Sequence, residues 1–144
     1  MNMPTIPSSV AVIDAIVIGA SAGGIDALLQ LFDQLPATFR LPIIVVVHLR
    51  DDRASRLAEL FAQRVCLPVE QAEDKASVKD GTIYFAGPGY HLSIEMDRSF
   101  SLSNEEPVHF SRPAIDHLMT SAADAYGSRL AGILLTGANE DGAA

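Results

Sequence analysis

The chain has 144 residues, 49% of them hydrophobic and 19% charged, which suits one domain with one core and excludes a chain disordered as a whole. Its formal net charge is −8, and the densest basic stretch, Arg50, Arg53 and Arg56, is interleaved with Asp51 and Asp52, so no nucleic-acid partner is expected. Residues 1–13 hold no Lys or Arg and no run of about 18 apolar residues occurs, so the sequence reads as a cytoplasmic protein without a secretory signal or membrane insertion.

Met1–Ser9 contains Pro4 and Pro7 and reads as a loose lead-in, so a flexible segment over 1–13 is expected ahead of one domain at 14–144. Apolar Ile16-Val17-Ile18 then meets the small, Gly-rich stretch Gly19-Ala20-Ser21-Ala22-Gly23-Gly24. Ile25, Leu28, Leu29, Phe32 and Leu35 follow at helical spacing, so the pattern is strand (about Ala15–Ile18), tight turn and helix (about Gly23–Leu35, before Pro36). Three readings of this turn stand side by side. Gly19-Ala20-Ser21-Ala22-Gly23 fits G-x-S-x-G, the nucleophile elbow that lifts a serine above a sheet. A Gly-rich turn at Gly19–Gly24 also suits a phosphate on a helix N-terminus. Thirdly, Ser21 suits a plain helix cap.

Ile43–Val47 is an unbroken apolar, β-branched run of the kind buried on both faces of a parallel sheet, and it ends at His48. Asp51 or Asp52 is placed to cap a second helix over about Arg53–Arg64, with Leu57, Leu60, Phe61 and Val65 inward. The single cysteine, Cys66, has no partner for an internal disulfide, which fits a reducing compartment. Between Val65 and Leu67 it reads as a small buried hydrophobe and not as a nucleophile. Short strands are expected at Val69–Gln71 and Ile83–Phe85, and a hairpin from His91–Met96 and Ser99–Ser103 about Asp97-Arg98. Ser111 suits the cap of a third helix whose stripe is Ile115, Leu118, Met119, Ala122 and Tyr126 and which ends at Gly127. A last strand, Leu130–Leu135, leads into Thr136-Gly137-Ala138-Asn139-Glu140-Asp141-Gly142. Such a turn normally feeds another helix, so a C-terminally incomplete domain is expected. Strands alternating with helices give a three-layer α/β fold with a mostly parallel, Rossmann-like sheet and an antiparallel hairpin.

Sites in open parallel sheets form beyond the carboxyl ends of strands. Ser21, His48 and Asp141 follow strand one, strand two and the last strand. Gathered there, a hydroxyl, an imidazole and a carboxylate make a nucleophile, a general base and its orienter. The order Ser, His, Asp differs from the Ser, Asp, His of α/β-hydrolases. Taken singly, His48 also suits a hydrogen-bonded strand end and Asp141 a turn residue. His91, His109 and His117 show no metal-binding spacing, so no metal is expected. The turn lacks the full G-x-G-x-x-G pattern, which weakens a dinucleotide site, and no cofactor is expected.

These motifs, in this order, resemble the catalytic domain of the bacterial chemotaxis methylesterase family, CheB, over nearly all of 14–144. Ile18-Gly19-Ala20-Ser21-Ala22-Gly23-Gly24 resembles its nucleophile turn, and Val45-Val46-Val47-His48-Leu49 its strand ending in the active-site histidine. Ile83 through Leu92 is similar to its Y-x-A-P-x-x-x-H-L stretch, and Ser111-Arg112-Pro113-Ala114-Ile115-Asp116 to its R-P-S-V/I-D helix start. Leu134 through Ala144 is similar to its L-T-G-M-G-x-D-G-A-A. The resemblance implies demethylation of glutamate γ-methyl esters on the cytoplasmic helices of methyl-accepting chemoreceptors, releasing methanol, and in some members deamidation of receptor glutamines. By position it implies Ser21 as nucleophile, His48 as general base and Asp141 as its orienter. A backbone N–H near Ala138 is the implied oxyanion donor, and the Ala22 N–H is a second candidate by elbow geometry.

The chain departs from the pattern at Ala22, where many members carry Thr, and at Ala138-Asn139-Glu140, which replaces M-G-x. Asn139 tolerates a left-handed backbone almost as Gly does. No receiver domain is read ahead of residue 14, so a receiver-domain protein acting in trans is the regulatory partner to consider. The alternatives are a non-catalytic signalling or binding module that kept the fold, and a phosphate- or nucleotide-binding domain using the Gly19–Gly24 turn.

Overall fold

The computed structural model describes residues 12–48, 56–103 and 115–135. Much of the expected 1–13 lead-in, the Asp51/Asp52 and Ser111 caps, and the 136–142 turn lie outside the described residues. Five strands form one parallel sheet in the order β3-β4-β2-β1-β7: β1 (Ala15–Ser21), β2 (Ile43–His48), β3 (Val69–Gln71), β4 (Ile83–Phe85) and β7 (Leu130–Leu135). An antiparallel pair, β5 (His91–Ile94) with β6 (Phe100–Ser103), makes a separate two-stranded sheet. Three helices complete the described elements: α1 (Ile25–Asp33), α2 (Leu57–Ala62) and α3 (Ile115–Tyr126). The expected three-layer α/β fold with its antiparallel hairpin is the fold observed.

Alternation along β1 and β2 divides the core in two. Ile18 and Ala20 of β1 with Ile43, Val45 and Val47 of β2 face α1 and α2, where Leu28, Phe32, Leu57 and Phe61 meet them. Ala15 and Val17 with Ile44 and Val46 face α3 and the hairpin, where Leu92, Ile94, Phe100, Leu118, Ala122 and Tyr126 meet them. Both central strands are therefore buried on both faces, as their β-branched sequences require. Burying each such side chain is worth roughly 1.5–3 kcal/mol. Phe61 joins the first layer by stacking its ring edge-on to Phe32 at 5.9 Å and tilted against Phe85 at 4.8 Å.

Some local expectations change. β1 continues past Ile18 to Ser21, because its ladder with β2 runs on through Ala20–Val47 and Ser21–His48. Gly23 and Gly24 do not start α1; with Ala22 they form a 3-10 turn ahead of it, in keeping with glycine's poor helix propensity. Leu60 is 47% exposed and not inward, since α2 is only six residues long and turns Leu57 and Phe61 to the sheet instead. Cys66 is exposed and not buried: Val65 and Leu67 on either side take the inward positions, leaving the thiol outward. The hairpin strands are shorter than expected, because Glu95 and Arg98 already close the turn, with Arg98 at φ 64°.

That turn is tied back to the body of the domain. The Arg98 guanidinium lies 4.4 Å over the Tyr126 ring and 3.2 Å from Asp14 Oδ2, which also meets Arg129 at 3.5 Å. Burial pushes the Tyr126 phenol up, against the pull of Arg98. Gly127, at φ +60°, ends α3 and turns the chain through a 3-10 segment into β7.

The layer assignment is tested by alanine substitution on α2. Phe61→Ala is expected to cost about 3–5 kcal/mol and exposed Leu60→Ala less than about 0.5 kcal/mol, read from urea unfolding curves.

Candidate active site at the strand ends

The chain crosses from β1 to β2 on one side of β1 and returns through α3 to β7 on its other side. β1 therefore stands at the point where the strand order reverses, the place where open α/β sheets bind their ligands. Ser21 is the last residue of β1 and His48 the last of β2. The two are register partners in the parallel ladder. Adjacent strands lie about 4.8 Å apart, so the two Cα atoms are nearest neighbours across the ladder.

They also share a face. Ser21 continues the series Ala15, Val17, Gly19, and His48 the series Ile44, Val46, all on the α3 side of the sheet. Ser21 is part-buried and His48 exposed, so this row is where the core gives way to solvent. Ser21 occupies the N-cap of the 3-10 turn but makes no capping hydrogen bond with its side chain. The plain helix-cap reading of Ser21 is thus not the one realised. Ala22 opens that 3-10 turn, and the first amides of a helical turn lack acceptors within it. Its N–H is therefore of the kind that can stabilise an oxyanion beside the serine.

Two glycines set the backbone around Ser21. A Cβ on Gly24 would lie 2.9 Å from the Leu135 carbonyl oxygen and 3.3 Å from Ala20 Cβ. The turn after Ser21 is therefore packed directly on the end of β7. A Cβ on Gly19 would lie 2.5 Å from Ile115 Cγ2, so the first residue of α3 rests on β1 two positions before Ser21. The structure thus brings Ser21, His48 and Ala22 to one end of the sheet. Asp141 and Ala138 lie outside the described residues.

Other polar groups have structural work. His91, set aside as a hairpin residue, is fully buried, and its ring stacks on His117 of α3 at 4.7 Å and 16°. The pair fastens the hairpin to the first turns of α3. Beside it a groove of about 370 Å³ is lined by Asp116, His117, Thr120, Ser121 and Asp124. The Ser121 hydroxyl is engaged there, donating to the Leu118 carbonyl and accepting from the Ile94 N–H. No group of three or more His, Cys, Asp or Glu side chains placed to hold a metal occurs among the described residues. No helix among them is long and apolar enough to cross a membrane.

The nearest sequence signal that went unread is Ile115. It stood in the helix stripe as a core residue, and its seat on Gly19 joins partners 96 positions apart, a separation that follows from the residue numbers alone. Helical spacing places it on the inward face but cannot say which strand residue it meets.

The chain is similar to known proteins in sequence and in fold. A family model described as CheB methylesterase matches residues 16–144. A putative protein-glutamate methylesterase/protein-glutamine glutaminase of Leptospira interrogans is 43% identical over 130 residues, covering 90% of this chain and 67% of that protein. A protein-glutamate methylesterase/protein-glutamine glutaminase of Carboxydothermus hydrogenoformans is 39% identical over 134 residues, covering 89% of this chain and 39% of that protein. The crystal structure of the Thermotoga maritima CheB methylesterase catalytic domain superposes with a TM-score of 0.81 at 32% identity, covering 88% of this chain and 69% of that one.

The glycine contacts predict a packing cost. Because a backbone oxygen blocks the space, Gly24→Ala is expected to lose about 1–3 kcal/mol, seen as a lower urea midpoint at unchanged slope.

Proposed function

Since the chain belongs to the CheB methylesterase family, we propose that it is a serine hydrolase acting on glutamate γ-methyl esters of chemoreceptor helices, with Ser21 as nucleophile and His48 as general base. The observation that carries this reading is the register pairing of Ser21 with His48 at the carboxyl ends of adjacent strands, on one face of the sheet. The names of its relatives support the substrate class, and those of many include glutamine deamidation as well.

The chemistry follows from the groups available. An alcohol is a weak nucleophile at neutral pH, and an imidazole in hydrogen-bond reach removes its proton as attack proceeds. General-base assistance of this kind contributes about 10²–10⁴ in rate. Attack of Ser21 Oγ on the ester carbonyl forms a C–O bond and an oxyanion. The Ala22 N–H is the donor for that charge on this side, and the Ala138 N–H is the second by family position. A lost donor costs on the order of 10²–10³ in turnover. Collapse breaks the bond to the methoxy oxygen, which leaves as methanol with the proton held by His48. Water, deprotonated by His48, then attacks the glutamyl-enzyme, releasing the carboxylate and restoring the serine. Deamidation runs through the same acyl-enzyme, with ammonia leaving in place of methanol. Asp141, by its place in the family motif, orients His48 and stabilises the imidazolium.

The chain carries a net charge of −8, so long-range attraction to an acidic substrate region is not what brings the two together. Recognition on this reading is local, and Arg50, Arg53 and Arg112 are basic residues near the motifs in sequence.

The direct test is methanol release from methylated receptor, combined with labelling by a fluorophosphonate. Wild-type protein is expected to be labelled at Ser21, and Ser21→Ala to lose both labelling and turnover while unfolding at the same urea concentration. Undiminished ester hydrolysis by that variant would refute the mechanism, and protection by a nucleotide without labelling would favour a binding domain. Asp141→Asn is expected to lower turnover by about 10⁴, the cost of the wrong imidazole tautomer in such triads.

A further inference from the structure

Ile115 lies in α3 and is only part-buried, although its neighbours in the helix stripe, Leu118 and Ala122, are fully enclosed. Its side chain covers Gly19: a Cβ there would meet Ile115 Cγ2 at 2.5 Å and its Cγ1 and Cδ1 at 3.1 Å. Gly19 and Ser21 are alternate residues of β1 and so point to the same face, about 6.6 Å apart at 3.3 Å per residue. The space immediately inward of the Ser21 side chain on that face is therefore filled by the branched end of Ile115. Across the ladder, Gly19 pairs with Val46 on one side and Leu134 on the other. Val46 is buried and Leu134 is 65% exposed, so the residues flanking Gly19 across the ladder are aliphatic.

From this geometry we infer that Ile115 is a specificity-determining residue: seated on Gly19, it forms the apolar wall against which the acyl chain of the substrate lies when its ester carbonyl is over Ser21, and it limits the length of that chain. The inference rests on the hydrolase reading and deepens it.

The physical reasons are three. An acyl group attacked by Ser21 must run away from the carbonyl along the sheet face. On the His48 side that path meets the base, whereas on the Ile115 side it meets methyl and methylene carbons. A glutamyl side chain offers two methylenes between ester and backbone, a short apolar segment suited to such a wall. Lastly, a β-branched side chain has few χ1 states, and contact with a residue that has no side chain fixes it further. The wall is thus stiff enough to discriminate. Gly19 has its role here too, since any side chain at that position would lift Ile115 toward the serine.

The test uses the full 144-residue protein and p-nitrophenyl acetate, butyrate and hexanoate, with Ser21→Ala as the blank and unfolding midpoints recorded for every variant. The readout is the ratio of kcat/KM for hexanoate to that for acetate. Shortening the wall is expected to raise this ratio by about tenfold in Ile115→Ala, the scale on which a pocket discriminates added methylenes. Ile115→Val, which keeps the branch and removes one carbon, is expected to raise it by about threefold, below that scale because most of the wall remains. The valine variant also carries the test if the alanine variant does not fold. A ratio unchanged within about twofold in both variants, or an equal fall for all three esters, overturns the inference and leaves Ile115 as packing. If wild-type protein shows no Ser21-dependent hydrolysis, the hydrolase reading fails and the wall fails with it. Changed ratios with intact Ser21 labelling establish both.

Discussion

Parallel pairing of β1 with β2 sets Ser21 opposite His48, and the other features of the site depend on that register. Side chains alternate along a strand, so a slip of one residue would send the hydroxyl or the imidazole to the α1 side of the sheet. The register is held by what lies beneath it. Val17 and Ile44 are fully buried on the α3 side, Ile18 and Val45 on the α1 side, and none of them can be exchanged for its neighbour without exposing an apolar row. The alignment of two polar groups at the strand ends is thus enforced by buried apolar residues beneath them.

Close approach does the rest. At Gly24 the turn after the serine packs on the backbone of β7, and at Gly19 the first residue of α3 packs on β1. Both contacts need a position without a side chain, and they flank Ser21 in sequence at distances of two and three residues. α3 is fixed further by the stacked His91 and His117 rings and by Ser121, which joins the helix to the Ile94 amide. The hairpin, which contributes no group to the strand-end pair, thereby acts on the site through the helix it holds.

How much of this was legible in the sequence depends on the range of the interaction involved. Elements with a strong local period were read closely: Ile43–Val47, Val69–Gln71, Ile83–Phe85 and Leu130–Leu135 are strands as expected. His48 was legible as a strand end because an apolar run stops there, whereas Ser21 was read through the G-x-S-x-G pattern as a turn residue and instead ends β1. Leu60 and Cys66 were misread because local periodicity assumed a longer α2 and a continuous inward face, whereas the helix ends at Ala62 and the chain alternates beyond it. The burial of His91 and the seat of Ile115 were not legible, since each depends on a partner brought near only by the assembled sheet and helix. Asp141 and Ala138 keep the roles that their motif implies in the proposal, resting on sequence and family alone.

The two faces of the sheet carry different duties, and the position of the site follows from the difference. On the α1 side β2 stays buried up to Val47, so that layer closes over the strand to its last turn. On the α3 side burial is complete at Val46 and ends abruptly at His48, one alternate position further on. Ser21 and His48 stand at the point where the core stops, while their backbones belong to the most buried strands of the domain. The candidate site is therefore the end of a parallel ladder, with Ile115 of α3 seated on Gly19 beneath it.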